Sequence, residues 1–493
     1  MTQLPSRAPK QPGRLESFRG RQERQPIDGA ERAVLWFLGA ELVLLPWALG
    51  AELPWAQIAG LALAAAALAC ALVPRYRPGA PGEGGRWLSP WRKLSRFPIF
   101  WLGGALLALV TIQALNPAWT FTAKGNYWWV LRARDVPWLP AGVAAPFGRF
   151  NAWRDLIIGA STWFATCAVW VGLIRQRSLR LLLGILTANG IALSALEAWQ
   201  HLNSAQRIPW PLTALTMQPL HASFVYKNHA GSYLTLTVFC ALALAAWNFR
   251  RGARTMRKST PTGVLVLAAL LISTGVLFTL SKGASLLLGG GALLFAGWWA
   301  GLSWRERGRR AANPAVTALL ASVFLLLALY TIRRVDFSEI LAHFDELTAK
   351  GAAADSVRGR IVVHRADGDM LRDHWLRGVG AGGFRYLFPE YQRRYPEIYL
   401  AGALYWEHAH GDWWEVPIEL GLAGDLLLLA GTGWWIAWFS RHGPLLWNVL
   451  AIPLLLGCGL TVMHAEFDFP FQSPAILITW AVLLTVAGRV IEE

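Results

Sequence analysis

The chain has 493 residues, 55% of them hydrophobic and only 15% charged. Soluble proteins carry about 25% charged residues, so a soluble enzyme, a disordered chain and a disulfide-rich secreted scaffold are all excluded. The net charge of +16, from 46 Lys+Arg against 30 Asp+Glu, reads in so apolar a chain as the cationic loops of a membrane protein rather than as a nucleic-acid surface.

Residues 1–32 are polar and basic and form an expected cytoplasmic tail. The first apolar block follows, read as an uncleaved signal anchor because a second block comes immediately after it. A bilayer crossing needs about 20 apolar helical residues. On that criterion twelve spans are expected: 33–50, 55–73, 98–115, 155–174, 181–201, 229–249, 261–280, 284–302, 313–332, 415–439, 445–463 and 474–488. The fold expected is all-α and polytopic, with nine transmembrane helices over 33–332, a large loop or cap over 333–414, and three more helices over 415–493. Cys70, Cys167, Cys240 and Cys458 all fall inside apolar blocks, as small buried hydrophobes do.

Orientation follows from the cations. With the N-terminus inside, the short inner pieces hold 27 Lys+Arg in 91 residues and the short outer pieces 8 in 83, which puts both termini in the cytoplasm. The segment 333–414 differs in composition from its surroundings. It has 11 Lys+Arg, 12 Asp+Glu and five of the ten histidines: His343, His364, His374, His408 and His410. Its amphipathic stretches Leu341–Ala349 and Ile361–Leu376 predict a small helical cap on the outer face. With His221, His229 and His464 at outer span ends, eight of ten histidines share one side of the membrane. Chemistry is expected there.

Four local patterns stand out. Glu407-His408-Ala409-His410-Gly411-Asp412-Trp413-Trp414 runs from the cap into the tenth span and on to Gly421 and Gly424. It sets His410 at the water–bilayer boundary, and histidine exchanges protons near neutral pH. An aromatic-belt histidine and a metal site of Glu407, His408 and His410 are the competing readings, the second lacking HExxH or Cys support. Gly378–Gly383, between Arg377 and Arg385, is a glycine-rich run without a preceding strand or a GKS/T, so it supports neither a dinucleotide fold nor a phosphate loop. Lys227 and Lys282 set cations against apolar spans at outer positions, which marks either a functional site or snorkelling side chains. The last outer loop contributes His464 and Asp468.

Taken in order, these patterns resemble the O-antigen ligase superfamily of ligases, polymerases and related oligosaccharide transferases. His410, nine residues between Gly411 and Gly421, then Gly424, is similar to that family's His-[Asn/Ser/Gln]-x9-Gly-x-x-[Gly/Thr/Tyr] signature, with Gly411 departing from it and Asp412 offering a neighbouring polar group. Tyr226–Gly231, with His229, is similar to its Asn-Arg-Asn-His-x-Ala-Gly segment, Ser281–Ala284 to its Ser-Arg-Gly-Ala hairpin, and Gly378–Phe384 to its Gly-Val-Gly-x-Gly-x-Phe run. Lys replaces the family's usual Arg at 227 and 282, a point charge in place of a bidentate fork.

The resemblance implies a GT-C-like, multi-pass glycosyl transferase in the bacterial cytoplasmic (inner) membrane, with no metal or cofactor and an active site facing the periplasm. Its partners would be a polyprenyl-diphosphate-linked glycan donor, a glycan, lipid or protein acceptor, and the bilayer, with no nucleic acid. Its product would enter surface polysaccharide or lipopolysaccharide. In that frame His410 is the catalytic candidate, and Lys227, Lys282, Arg360 and Arg385 are the cations for the donor diphosphate. His229, Asp412, Gly421, Gly424, His464 and Asp468 are further site candidates. A glycan polymerase or protein O-glycosyltransferase of the same superfamily stays open. So does a transporter or flippase, with Glu197 and Asp425 as mid-span charges.

Overall fold

The computed structural model describes residues 27–77, 86–203, 220–255, 259–306, 357–399, 405–442 and 447–492. The expected span 313–332, the stretch Leu341–Ala349 with His343, most of the tail 1–32 and parts of the 333–414 segment lie outside the described residues. Over the rest the chain is mostly helical, and the other eleven expected spans coincide with helices. These are α1 (Gly29–Trp47), α2 (Pro54–Ala71), α4 (Pro98–Leu115), α5 (Ala152–Gly172), α6 (Gln176–Leu202), α7 (Lys227–Thr255), α8 (Thr262–Phe278), α9 (Lys282–Glu306), α13 (Asp412–Arg441), α14 (Ala451–His464) and α15 (Pro474–Glu492), with a short α3 (Pro90–Leu94) before α4. Among the described residues, eight helices are long and apolar enough to cross a membrane: α2, α4, α5, α6, α7, α9, α13 and α15. The chain is a polytopic membrane protein.

Local chemistry sets several helix starts. Asp28 accepts from Glu31 N at 2.8 Å and caps α1, and Asn151 accepts from the amides of Trp153 and Arg154 and caps α5, each filling amides that a first turn leaves unpaired. Pro54 and Pro98 open α2 and α4, where proline loses nothing. α7 sits at the centre, its apolar length almost wholly buried, whereas α13 lies at the rim. Leu429 and Ile436 of α13, with Leu267, Leu294 and Trp36, are exposed large apolar side chains, the surface expected of lipid-facing helices. Inside the bundle, polar side chains join helices. Trp47 donates to Asn189 at 2.8 Å, Asn189 donates to the Tyr233 hydroxyl at 2.9 Å, and Ser161 donates to Glu41 at 2.7 Å. Such bonds act as interhelical glue where no water competes.

At one end the bundle carries a cap of α10 (Val357–His374), α11 (Phe384–Gln392) and α12 (Pro396–Tyr399), with its own apolar core of Val363, Ala366, Met370, Phe384 and Phe388. The 333–414 segment therefore includes packed helices. The cap also contains something the all-α expectation lacked. The loop 116–151 forms a three-stranded sheet in the order β4-β3-β5, with β3 (Pro117–Lys124) antiparallel to β4 (Tyr127–Arg132) and parallel to β5 (Gly142–Ala144). A second, two-stranded ribbon pairs β1 (Arg75–Arg77) with β2 (Arg86–Leu88). Trp119 and Val130 of the sheet pack on the cap core, and Arg377 forms an ion pair with Asp135 and donates to Leu139 O at 2.8 Å. Sheet and helical cap form one lid.

Two glycines join this lid to α13. Gly421 has φ +65° and ψ −173° inside α13 and kinks it, and Gly378 in the glycine run has φ +69°. A Cβ on Gly421 would stand 2.6 Å from Gly378 N, and one on Gly378 would stand 2.2 Å from Glu419 O. The backbones touch because neither residue has a side chain. Val379 N donates to Ile418 O, Gly380 N to Glu419 O and Leu422 N to Trp375 O, at 2.8–3.0 Å, so the kink exchanges lost helical bonds for bonds to the lid.

Candidate functional site

The site candidates named from the sequence gather where the bundle meets the lid, and one aromatic ring organises them. Phe469, in the loop between α14 and α15, stacks on Tyr226 (5.1 Å) and on His408 (4.5 Å) and meets His229 (5.2 Å) and His410 (5.1 Å) edge-on. His410 stands here with φ +52°, a left-handed conformation rare for residues with a side chain and frequent at functional sites. Trp406 meets its other side at 5.0 Å. Its buried Nδ1 has no hydrogen-bond partner among the described residues. Burial and the Arg360 guanidinium hold its pKa down at about 3, so the imidazole is neutral.

On one side of Phe469 lie the lysines and the last loop. Lys227 and Lys282 open α7 and α9 and are exposed. The first turns of these helices touch, since a Cβ on Gly231 would lie 2.5 Å from the Ala284 Cβ. The hairpin at Lys282 rests on His464, whose Nε2 is 3.0 Å from where a Gly283 Cβ would stand. Ser232 Oγ and His464 Nδ1 share a hydrogen bond of 2.6 Å, and His464 Nε2 is 3.7 Å from Asp468. Arg360 donates to Phe467 O at 2.9 Å, and Asn228 donates to Asp468. Burial raises the Asp468 carboxyl to about 6, against the pull of Arg360.

Arg385 lies on the other side, with Glu407 and His408 of one sequence pattern and with residues the sequence reading did not name. It and Arg149, Phe150, Arg154, Tyr386, Tyr405, Glu407, His408 and Glu52 line a cavity of about 290 Å³. The guanidiniums of Arg154 and Arg385 lie against the Phe150 ring, 4.1 and 4.5 Å from its centre. His408 is held from both sides, by Glu415 Oε1 at 2.7 Å on Nδ1 and by Arg385 Nη2 at 3.2 Å on Nε2. Glu415 also accepts from Ala409 N at 2.9 Å. This fixes the tautomer: Nδ1 donates to the carboxylate, and Nε2 accepts from the guanidinium. Burial, then Arg385, keeps His408 well below its ordinary pKa. Burial works against the Arg385 charge, but Glu407 and Glu415 raise its pKa overall. Burial pushes Glu52 up to about 7, although Arg385 and Arg154 favour its charge.

The remaining candidates hold positions. Asp412 at the start of α13 accepts from Phe471 N at 3.0 Å and gives its own amide to Ala465 O at 2.9 Å, tying α13 to the last loop. His229 Nε2 lies 3.1 Å from Phe469 O and its Nδ1 3.9 Å from Glu52, so it bridges the two sides. Gly411, where the signature has a polar residue, leaves little room: a Cβ would stand 3.0 Å from Glu466 O and 3.3 Å from His364. Gly424 lies one turn below the kink, its Cβ position filled by Leu420. Glu197 accepts from Ala222 N and lies 3.6 Å from His221, and is engaged in closing a loop.

Residues 267–429 match the family model for O-antigen ligase. The match spans about a third of the chain and supports the O-antigen ligase superfamily. The matched domain runs from α8 through most of α13 and contains Lys282, Arg360, Arg385, His410, Asp412, Gly421 and Gly424. It associates the chain with a family of membrane glycosyl-transfer proteins. No curated protein and no solved structure matches the chain. Glu52, Arg149, Arg154, Lys227, His229, His464 and Asp468 reach the site from outside the matched residues. The sequence offered a signal for two of the missed residues: Arg154-Asp155 is a charged pair at the mouth of a span, and Glu52 an acid in the short turn between α1 and α2. Both are costly at a membrane boundary unless used.

Proposed function

We propose that the chain is a membrane glycosyl transferase that moves a glycan from a polyprenyl-diphosphate donor to an acceptor hydroxyl, at the boundary between bundle and lid, on the periplasmic face of the inner membrane. The observation that carries the reading is His410: a buried neutral imidazole with an unpartnered nitrogen, in a strained backbone position, between two groups of cations.

The donor diphosphate binds at the touching first turns of α7 and α9, where helix N-termini and Lys227, Lys282 and Arg360 favour negative charge. Its lipid tail has a fitting place among α4, α5, α13 and α15, in an apolar cavity of about 280 Å³ lined by Leu102, Leu106, Trp163, Leu427 and Trp480. The acceptor sugar occupies the lid-side cavity, where Tyr386, Tyr405, Glu407 and the guanidiniums supply donors and acceptors for hydroxyl groups. In the transfer, the acceptor oxygen forms a bond to the anomeric carbon and its proton passes to His410. The bond from that carbon to the diphosphate breaks, and the polyprenyl diphosphate leaves with the electron pair, its growing charge held by the cations. A diphosphate beside Arg360 cancels part of the field that depresses His410, so the donor raises the basicity of the imidazole as it binds. The lid keeps water from taking the glycan instead.

The test supplies purified protein in detergent with a polyprenyl-diphosphate glycan and with lipid, glycan and peptide acceptors in turn. Sugar on one acceptor supports transfer and identifies its class. Donor that binds but crosses proteoliposomes unaltered, with no acceptor glycosylated, would replace this reading with a flippase.

A further inference from the structure

A second charged cavity lies at the opposite end of the bundle from the lid. It is about 490 Å³ in volume and is walled by the C-terminal turns of α7, the N-terminal ends of α6 and α14, and the end of α15. Arg250, Arg251 and Arg254 face it with Trp247, Trp447 and Asn448, and no carboxylate lines it among the described residues. The cluster extends beyond the wall. Arg180 and Arg251 lie against the Trp247 ring, 3.9 and 4.9 Å from its centre, and Arg305 lies 4.9 Å from that of Trp447. Arg250 donates to Trp447 O at 2.8 Å.

Guanidiniums gathered around two indoles repel one another, and a ring face offsets part of that repulsion. An excess of cations on this face follows from membrane topology alone, but topology requires neither a cavity nor an ordered wall. Basic pockets between transmembrane helices accept lipid phosphates, each arginine near the surface contributing about a fivefold gain in binding, and the indoles provide the belt at head-group depth. We propose that this cavity binds a paired-phosphate anion, presented as the head group of an anionic phospholipid of the diphosphatidylglycerol type in the leaflet opposite the lid. The bound lipid pairs with Arg251 and Arg254 and fastens α6, α7, α14 and α15 to one another. None of these residues belongs to the transfer site, so the inference stands or falls independently of the proposed reaction.

Native mass spectrometry of the full chain, released from detergent doped with diphosphatidylglycerol, phosphatidylglycerol or phosphatidylcholine, tests this directly. The wild type is expected to retain one diphosphatidylglycerol and to prefer it to phosphatidylcholine at least tenfold. R251Q/R254Q should weaken that binding about 30-fold, two guanidiniums at about fivefold each, while R251K/R254K keeps most of it and R92Q, a control for general charge, keeps all. Inorganic diphosphate serves as the soluble competitor: failure to displace the lipid assigns the site to the membrane, and displacement at equal concentration assigns the same chemistry to a soluble anion. Wild-type lipid retention by R251Q/R254Q, or equal retention of phosphatidylcholine, overturns the proposal, and a melting curve matching that of R251K/R254K establishes that the variant is folded.

Discussion

Replacing Gly421 by alanine tests the contact between α13 and the lid. At φ +65° and ψ −173° the residue occupies a region that only glycine visits readily, and forcing a side chain there costs about 1–3 kcal/mol. The new Cβ would also stand 2.6 Å from Gly378 N, 2.8 Å from the Arg377 carbonyl carbon and 2.9 Å from Leu376 O. All three are backbone atoms, so the whole glycine run must retreat. Retreat stretches the bonds from Val379 N, Gly380 N and Leu422 N across the joint, each worth about 1 kcal/mol. Together the two effects give a destabilisation of roughly 4–6 kcal/mol, and the displaced run takes Arg385 with it. Gly433→Ala is the internal control: it lies in the same helix with nothing within 4 Å of its Cβ position, and should be neutral or stabilising by up to about 1 kcal/mol. The assay is thermal melting in detergent beside glycan transfer by the same preparation. If Gly421→Ala and Gly433→Ala melt together, at the wild-type temperature, the backbone contact at the kink is not what fastens the lid.

Further outcomes follow from the site. His410→Ala should lower turnover by about 10²–10⁴-fold, the range for losing a general base, while leaving donor binding nearly intact; loss of donor binding would move His410 to the diphosphate. Lys227→Ala and Lys282→Ala should each strongly reduce transfer and the Arg variants retain it, whereas full activity of both alanine variants at normal membrane levels would reduce the lysines to snorkelling groups. Glu52 has a folded pKa raised to about 7, so its contribution is favourable at low pH and is lost as pH rises through 7, and the 36% exposure of its side chain keeps that contribution small. Glu52→Gln should therefore melt higher than wild type at pH 8 and gain less at pH 5, and an identical gain at both would remove Glu52 from the titration. A membrane-impermeant thiol reagent on intact cells should label Glu397→Cys on the lid and miss Ala253→Cys on the other end, the reverse pattern inverting the orientation.

Helices were legible because the bilayer makes each crossing a long apolar run with polar ends, and Pro98–Leu115 has the bounds expected of it. The sheet was not, since its signal is short and local: Thr120-Phe121-Thr122 and Tyr127-Trp128-Trp129-Val130 flank the Gly125-Asn126 turn, a hairpin pattern overshadowed by neighbouring spans. His410, Lys282 and Arg385 could be named because they fall in local motifs. Glu52, Arg149 and Arg154 could not be assigned to the cavity, because nothing in residues 51–54 or 148–155 refers to residue 385. Only packing brings them together. Glu415 is the instructive intermediate: it sits within the signature stretch, but its bond to His408 depends on the left-handed turn at His410, which sequence spacing alone does not reveal.

The lid-side cavity takes Glu52 from the first turn of the bundle, Arg149 and Arg154 from the mouth of α5, and Arg385 and His408 from the matched domain, with Phe469 stacked on His408 from beyond that domain's end. The recognisable third of the chain is thus half of a vessel. Expressed alone, 267–429 would keep the histidine and lose the opposing wall, so the domain is not a portable catalyst. Exchanging it between relatives would split the cavity proposed for the acceptor, because Arg385, Tyr386, Tyr405, Glu407 and His408 would travel with the exchanged stretch while Glu52, Arg149, Phe150 and Arg154 would stay with the host.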